Sequence, residues 1–185
     1  MPELLLAYVM TATDSNHAAY LGTVMVTDAR GLPREFRHTE PIRPTRIQRV
    51  LYGGALEAYL RADVIGSCLL KDLKAKPTAV VVREEALLAL DQQAGCPVLV
   101  VFATNLDPLP DGEPRRDIDE KSVLVQLAPG SGPVRVTVAR PDASLLAAAC
   151  EILLGAAETM DVVEPLTRME EAVSLLWAEA EKAES

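Results

Sequence analysis

The sequence predicts an α/β domain in which a mixed sheet of about six or seven strands is flanked by helices. Three observations predict it. Ala79–Val82 and Val98–Phe102 are apolar without alternation, the mark of strands covered on both faces, and a helical stretch lies between them. That is one parallel βαβ unit, expected to be right-handed. Two pairs of short strands meet across turn chemistry, at Asp28–Gly31 and at Pro129–Pro133, and predict two β-hairpins. From Asp142 onward the pattern is helical, giving a C-terminal helical pair. With 185 residues, 49% apolar and 24% charged, the chain is most simply a single α/β domain over 1–185. A subdivision into a sheet domain (1–140) and a separable helical hairpin (141–185) is the alternative.

In order, Leu4–Met10 reads as a first, interior strand and Thr11–Ala18 as a polar loop. Leu21–Thr27 alternates as a second strand. Asp28-Ala29-Arg30-Gly31 suits a type I turn, with Gly available for positive φ at its end. Glu35–Glu40 follows with both faces largely polar, which predicts an edge strand. Pro41 and Pro44 end it, and Thr45 is placed to cap the next helix. In that helix Ile47, Val50, Leu51, Gly54, Ala55 and Ala58 form the expected inward stripe, widened by Leu56, Tyr59 and Leu60. Arg46, Arg49, Gly53, Glu57 and Arg61 share the outward face. The pattern runs on towards Leu73, with a break expected near Gly66.

Glu84–Ala94 reads as a helix with Gly95 as its C-terminal stop. Asn105–Lys121 reads as a long polar loop. Val123–Leu127 and Val134–Ala139 make the second hairpin. One helix to about Glu158 and another from about Val163 to Lys182 complete the chain. In the last, Leu166, Met169, Val173, Leu176 and Ala180 step 3-4-3-4 beside Trp177. That stripe packs on its own sheet or, alternatively, on its copy in a homodimer.

Charge is unevenly placed. The formal net charge is −9, yet residues 1–92 carry eleven basic and eleven acidic side chains, so the excess lies wholly in 93–185. An acidic chain repels phosphate at long range, which argues against general nucleic-acid binding. The three cysteines, Cys68, Cys96 and Cys150, form no CxxC pair and read as buried free thiols of a reducing compartment. The first residues have no basic n-region, and no apolar run is long enough to span a bilayer. The expected location is cytoplasmic, without membrane contact.

The densest functional signal is Thr27–Ile65, which holds seven of the eighteen basic residues. Arg43, Arg46 and Arg49 crowd a helix start, where the dipole disfavours cations by a few tenths of a kcal/mol each. A local rule broken in this way points to a partner outside the chain. The candidate binding surface is therefore Arg37, His38, Arg43, Thr45, Arg46, Arg49 and Gly53. Neutralisation by Glu35, Glu40 and Asp28 in a solvated ion-pair network is the competing explanation. Asp14, Ser15 and His17 have triad residue types but lie adjacent in one loop, which gives no catalytic alignment. Asp107, Asp111, Glu113, Asp117, Asp119 and Glu120 lack the spacing of a calcium loop. Gly130-Ser131-Gly132 lacks the lysine of a phosphate loop. No cofactor, metal site or complete catalytic constellation is evident. The expectation is a non-enzymatic interaction or adaptor module whose 30–61 surface binds an acidic protein partner. The alternative is a phosphate-ligand enzyme or sensor holding a small anion at the helix start near Thr45.

Overall fold

The computed structural model describes residues 3–183. Its centre is one mixed sheet: β1 (Leu6–Thr13), β2 (Tyr20–Thr27), β3 (Pro33–His38), β4 (Ala79–Val82), β5 (Val98–Ala103), β6 (Arg115–Asp117), β7 (Ser122–Val125) and β8 (Val134–Val138). The spatial order is β3-β2-β1-β4-β5-β8-β7-β6. β1, β4 and β5 are parallel, and every other pairing is antiparallel. The α/β class, both hairpins, the parallel unit and the edge position of β3 agree with the sequence. The strand count does not: β6 forms inside the stretch taken for loop, where Arg115, Arg116 and Asp117 pair with Val125, Leu124 and Val123. An edge strand needs only one bonded side, so three charged residues suffice, and no apolar pattern announces them.

Alternation along each strand builds two cores. On one face Leu6, Tyr8, Val81, Leu99, Val101 and Val136 meet α5 (Ala143–Ala157) and α6 (Glu164–Ala183) through Leu153, Leu166 and Met169. The Tyr8 hydroxyl donates to the Val162 carbonyl at 3.0 Å, fixing the α5–α6 link to the middle of β1. The stripe Leu166, Met169 and Val173 is thus buried within the chain, not offered to a second copy. Asp142 caps α5, its carboxylate accepting from Ser144 N and Leu145 N.

On the opposite face Ala7, Val9, Val24, Val80 and Val100 meet Leu56, Leu60, Ile65, Leu87 and Leu90. The helix expected over 45–73 is here five pieces: α1 (Arg46–Tyr52), a 3₁₀ turn (Gly53–Ala55), α2 (Leu56–Ala58), a π-helical stretch (Tyr59–Gly66) and α3 (Ser67–Asp72). Gly53, at φ +53 and ψ −133, ends α1 and resets the helical phase. The inward face downstream is therefore Leu56, Leu60 and Ile65. The stripe expected to be inward at Ile47, Val50, Leu51, Gly54, Ala55 and Ala58 is exposed instead, and α1 has no buried residue. Gly22 of β2 lets the π-helical stretch close on the sheet, since a Cβ there would lie 2.1 Å from Ile65 Cγ2. The Glu84–Ala94 helix proves to be a 3₁₀ stretch, Glu85–Leu90, followed by the short α4 (Asp91–Ala94), with Gly95 left-handed as expected. Cys150 is buried, but Cys68 is exposed, a correction to its reading as core.

Candidate functional site at the carboxyl ends of the parallel strands

The chain leaves β1 towards β2 and β3, then returns through the helices to β4 on the other side of β1. Open α/β sheets place ligands outside the carboxyl ends of strands at such a reversal. The side chains gathered there are Thr11 from β1, Arg83 and Glu84 just beyond β4, Glu57 of α2 and Arg61 of the π-helical stretch. Such π-turns recur at functional sites because the extra residue re-aims a side chain.

Arg61 is the hub. Its Nη1 donates to Glu84 Oε2 at 2.6 Å, to Thr11 Oγ1 at 2.9 Å and to the Thr11 carbonyl at 3.4 Å. Its Nη2 and Nε donate to Glu57 Oε1 at 2.7 and 3.0 Å. Thr11 Oγ1 in turn donates to Glu84 Oε1 at 3.0 Å. The Arg61 side chain is 14% exposed and Glu84 31%, so solvent screens that pair less than a surface pair, while Glu57, at 49%, stays open to water. Arg83, pointing to the other face, pairs with Glu170 of α6.

Beside this hub, Asp14 staples the β1–β2 loop by accepting from Ala18 N and Ala19 N. The bond from Ala19 does most to hold its carboxyl below the usual range, with Arg43 and His17 adding positive charge. Arg49 of α1 donates to the carbonyls of His17 and Ala18, at 3.3 and 2.9 Å, and so docks α1 against the loop. Arg46 is exposed, and no carboxylate among the described residues pairs with it. Next to these cations lies an apolar surface. Ile47, Val50 and Leu51 are 71, 76 and 76% exposed, and the rings of Tyr52 and Tyr59 stack at 4.8 Å.

The residues singled out from sequence are only partly assembled. Thr45 makes a full capping box with Gln48, donating from its N–H to Gln48 Oε1 and accepting from Gln48 N. Arg43, Thr45, Arg46 and Arg49 share one surface by the β1–β2 loop. Gly53 has open space around it and sits at positive φ, a conformation that by itself favours glycine. Arg37 is held apart, paired with Glu35 at 2.8 Å and Asp72 at 3.2 Å. His38 packs at a tilt on Phe36 and lines a concavity of about 210 Å³ with Leu21, Thr39 and Glu179, which no α1 arginine lines. Of the acids proposed as neutralisers, Asp28 pairs with Arg30 and Arg34, and Glu35 with Arg37. Neither takes an arginine of α1. Sequence reasoning passed over Thr11, Arg83, Glu84 and the exposure of Tyr52 and Tyr59. A signal existed for two of them: Arg83-Glu84 breaks an apolar run at the carboxyl end of a parallel strand, where ligands gather.

No family model matches the chain, and no curated protein matches it. Solved structures do. Endonuclease V from Streptomyces avermitilis superposes with a TM-score of 0.63 at 19% identity, over 98% of this chain and 83% of that one. Endonuclease V from Bacillus subtilis gives 0.63 at 13% identity, over 99% and 84%. Endonuclease V from Ciona intestinalis, in complex with a DNA containing an inosine followed by a ribo-adenosine, gives 0.61 at 15% identity, over 98% and 87%. The chain therefore has the endonuclease V fold. This overturns the expectation of a non-enzymatic adaptor for an acidic protein partner, without nucleic-acid binding. The architecture is shared with these endonuclease V structures, one of which is in complex with DNA. The net charge of −9 is an average over a neutral half, 1–92, with eleven basic side chains and an acidic half, 93–185, with seven. Among the described residues, no helix is long and apolar enough to cross a membrane.

Proposed function

We propose that this chain is a nucleic-acid-processing protein that takes a strand across α1 and the carboxyl ends of β1 and β4. The observation that carries this is the endonuclease V fold over nearly the whole chain, with the Ciona protein bound to inosine-containing DNA. The local surface supports it. Arg46 and the outer side of Arg49 offer donors to backbone phosphates, and phosphate contacts supply most of the affinity for nucleic acid. Tyr52 and Tyr59, beside exposed Ile47, Val50 and Leu51, offer faces on which unpaired bases stack, worth about 1–3 kcal/mol per base. With a net charge of −9, the chain gains little from long-range steering, so affinity arises at contact. Three unpaired cysteines support a cytoplasmic setting.

Many nucleases act through two metal ions about 3.5–4 Å apart. Among the described residues, no three His, Cys, Asp or Glu side chains are placed to hold a metal. The carboxylates of the Arg61 centre, Glu57 and Glu84, are both paired with Arg61, and Asp14 beside it is bonded to the Ala18 and Ala19 amides. This donor set does not fit a metal pair, so the chemistry derived for these residues is the binding and positioning of a strand.

The test is fluorescence anisotropy with labelled DNA and RNA oligonucleotides, each with and without one inosine, across a salt series. Arg46→Ala/Arg49→Ala should weaken binding at least tenfold and flatten the salt slope by about 1.4–1.8, for two lost phosphate contacts. No binding by wild type, or binding indifferent to the double substitution, refutes the reading.

A further inference from the structure

We infer that Arg61 is a built-in cation that occupies the polar centre at the carboxyl ends of β1 and β4 and closes it to divalent metal. The guanidinium contacts four oxygen atoms: Glu57 Oε1, Glu84 Oε2, Thr11 Oγ1 and the Thr11 carbonyl. Two carboxylates, a hydroxyl and a carbonyl are all hard oxygen donors of the kind that hold Mg²⁺ or Mn²⁺. Here a covalently attached cation satisfies them. The guanidinium spreads one positive charge over nitrogens matched to two separate carboxylates, a span that one metal ion with bonds of about 2.0–2.2 Å cannot cover without drawing the acids together.

The backbone enforces this placement. Arg61 sits in the π-helical stretch, packed through Leu60 and Ile65 on the sheet, and it is 14% exposed. A metal entering would have to displace a charge tethered among its own counter-ions. The centre is therefore a metal-free prop in which Arg61 holds Thr11, Glu57 and Glu84 together.

The experiment is thermal unfolding with Mn²⁺ as the probe and no nucleic acid present, so its outcome is independent of the nucleic-acid reading. Wild type should melt at the same temperature with and without Mn²⁺. Arg61→Ala, which frees both carboxylates, should melt lower in chelator. It should rise by roughly 5–10 °C at Mn²⁺ about a hundredfold above its Kd. Adding Glu84→Gln to that variant should abolish the rise. Arg61→Gln, which keeps a hydrogen-bonding group while removing the charge, covers the case in which the alanine variant does not fold, and it too should respond to Mn²⁺. A wild type stabilised by Mn²⁺, or the absence of a response in both Arg61 variants, overturns the inference.

Discussion

Gly22→Ala tests how the candidate site is held in place. A Cβ at Gly22 would stand 2.1 Å from Ile65 Cγ2, 3.1 Å from Leu69 Cδ1 and 3.4 Å from the Met10 carbonyl. Carbon atoms rest about 3.5–4.0 Å apart, so Ile65 must retreat by roughly 1.4–1.9 Å. Ile65 is fully buried and cannot swing into solvent, so the π-helical stretch itself has to lift from β2. Overpacking of this kind costs about 1–3 kcal/mol, offset by roughly 0.5–1 kcal/mol because alanine suits a strand better than glycine. With a clash this deep and a buried Ile65 the cost lies towards the upper end, so equilibrium urea unfolding should show a net loss of up to about 2.5 kcal/mol. Arg61, four residues before Ile65, moves with the stretch, so Gly22→Ala should also weaken the protection of the Thr11 and Glu84 amides in hydrogen exchange. The decisive control is Ile65→Ala, which removes the offending methyl. In that background Gly22→Ala should cost almost nothing, a coupling of at least 1 kcal/mol in the double-mutant cycle. Costs that simply add would refute the argument.

Two further predictions concern the frame. Tyr8→Phe leaves the buried Val162 carbonyl without its donor and should lower stability by about 1–2 kcal/mol, or roughly 2–8 °C in Tm, read by calorimetry. A loss below about 0.3 kcal/mol would show that this bond does not tie the α5–α6 link to β1. Asp28 concerns acid stability. Burial alone would raise its carboxyl, but hydrogen bonds from Arg30 N and Leu32 N and the Arg30 guanidinium together hold it below the usual range. A depressed folded-state pKa gives stability that is present above the unfolded value of about 3.9 and is lost as pH falls through the folded value. Unfolding followed below about pH 4 should show this loss in wild type, and Asp28→Asn should flatten it. An identical acid limb in both proteins would exclude Asp28 as a source.

Much of the architecture was legible because the signals were local. Asp28-Ala29-Arg30-Gly31 made its turn, with Gly31 N bonding the Asp28 carbonyl at 2.9 Å, and the uninterrupted apolar runs became the central parallel strands. α1 was misread for a physical reason. Its amphipathic stripe is real, but one glycine at positive φ rotates all that follows, so periodicity before Gly53 says nothing about facing after it. The Arg61 centre draws on three separate segments of the chain, β1, the helical run of Glu57 and Arg61, and the end of β4, and no spacing rule links Thr11 to Glu84. Arg61 was visible as one more arginine on an outward helix face. Its half-enclosed position depends on the π-helical stretch, which no propensity pattern marks.

The two ends of the sheet remain. β3 presents Arg34, Glu35 and Arg37 at one end, and β6 presents Arg115, Arg116 and Asp117 at the other, so both free rows of backbone donors and acceptors are guarded by charge. A neighbouring strand of another molecule would have to strip water from these groups before it could bond. Eight strands can thus stay open at both margins without recruiting foreign chains, and the protein resists fibre-like association without needing to close into a barrel.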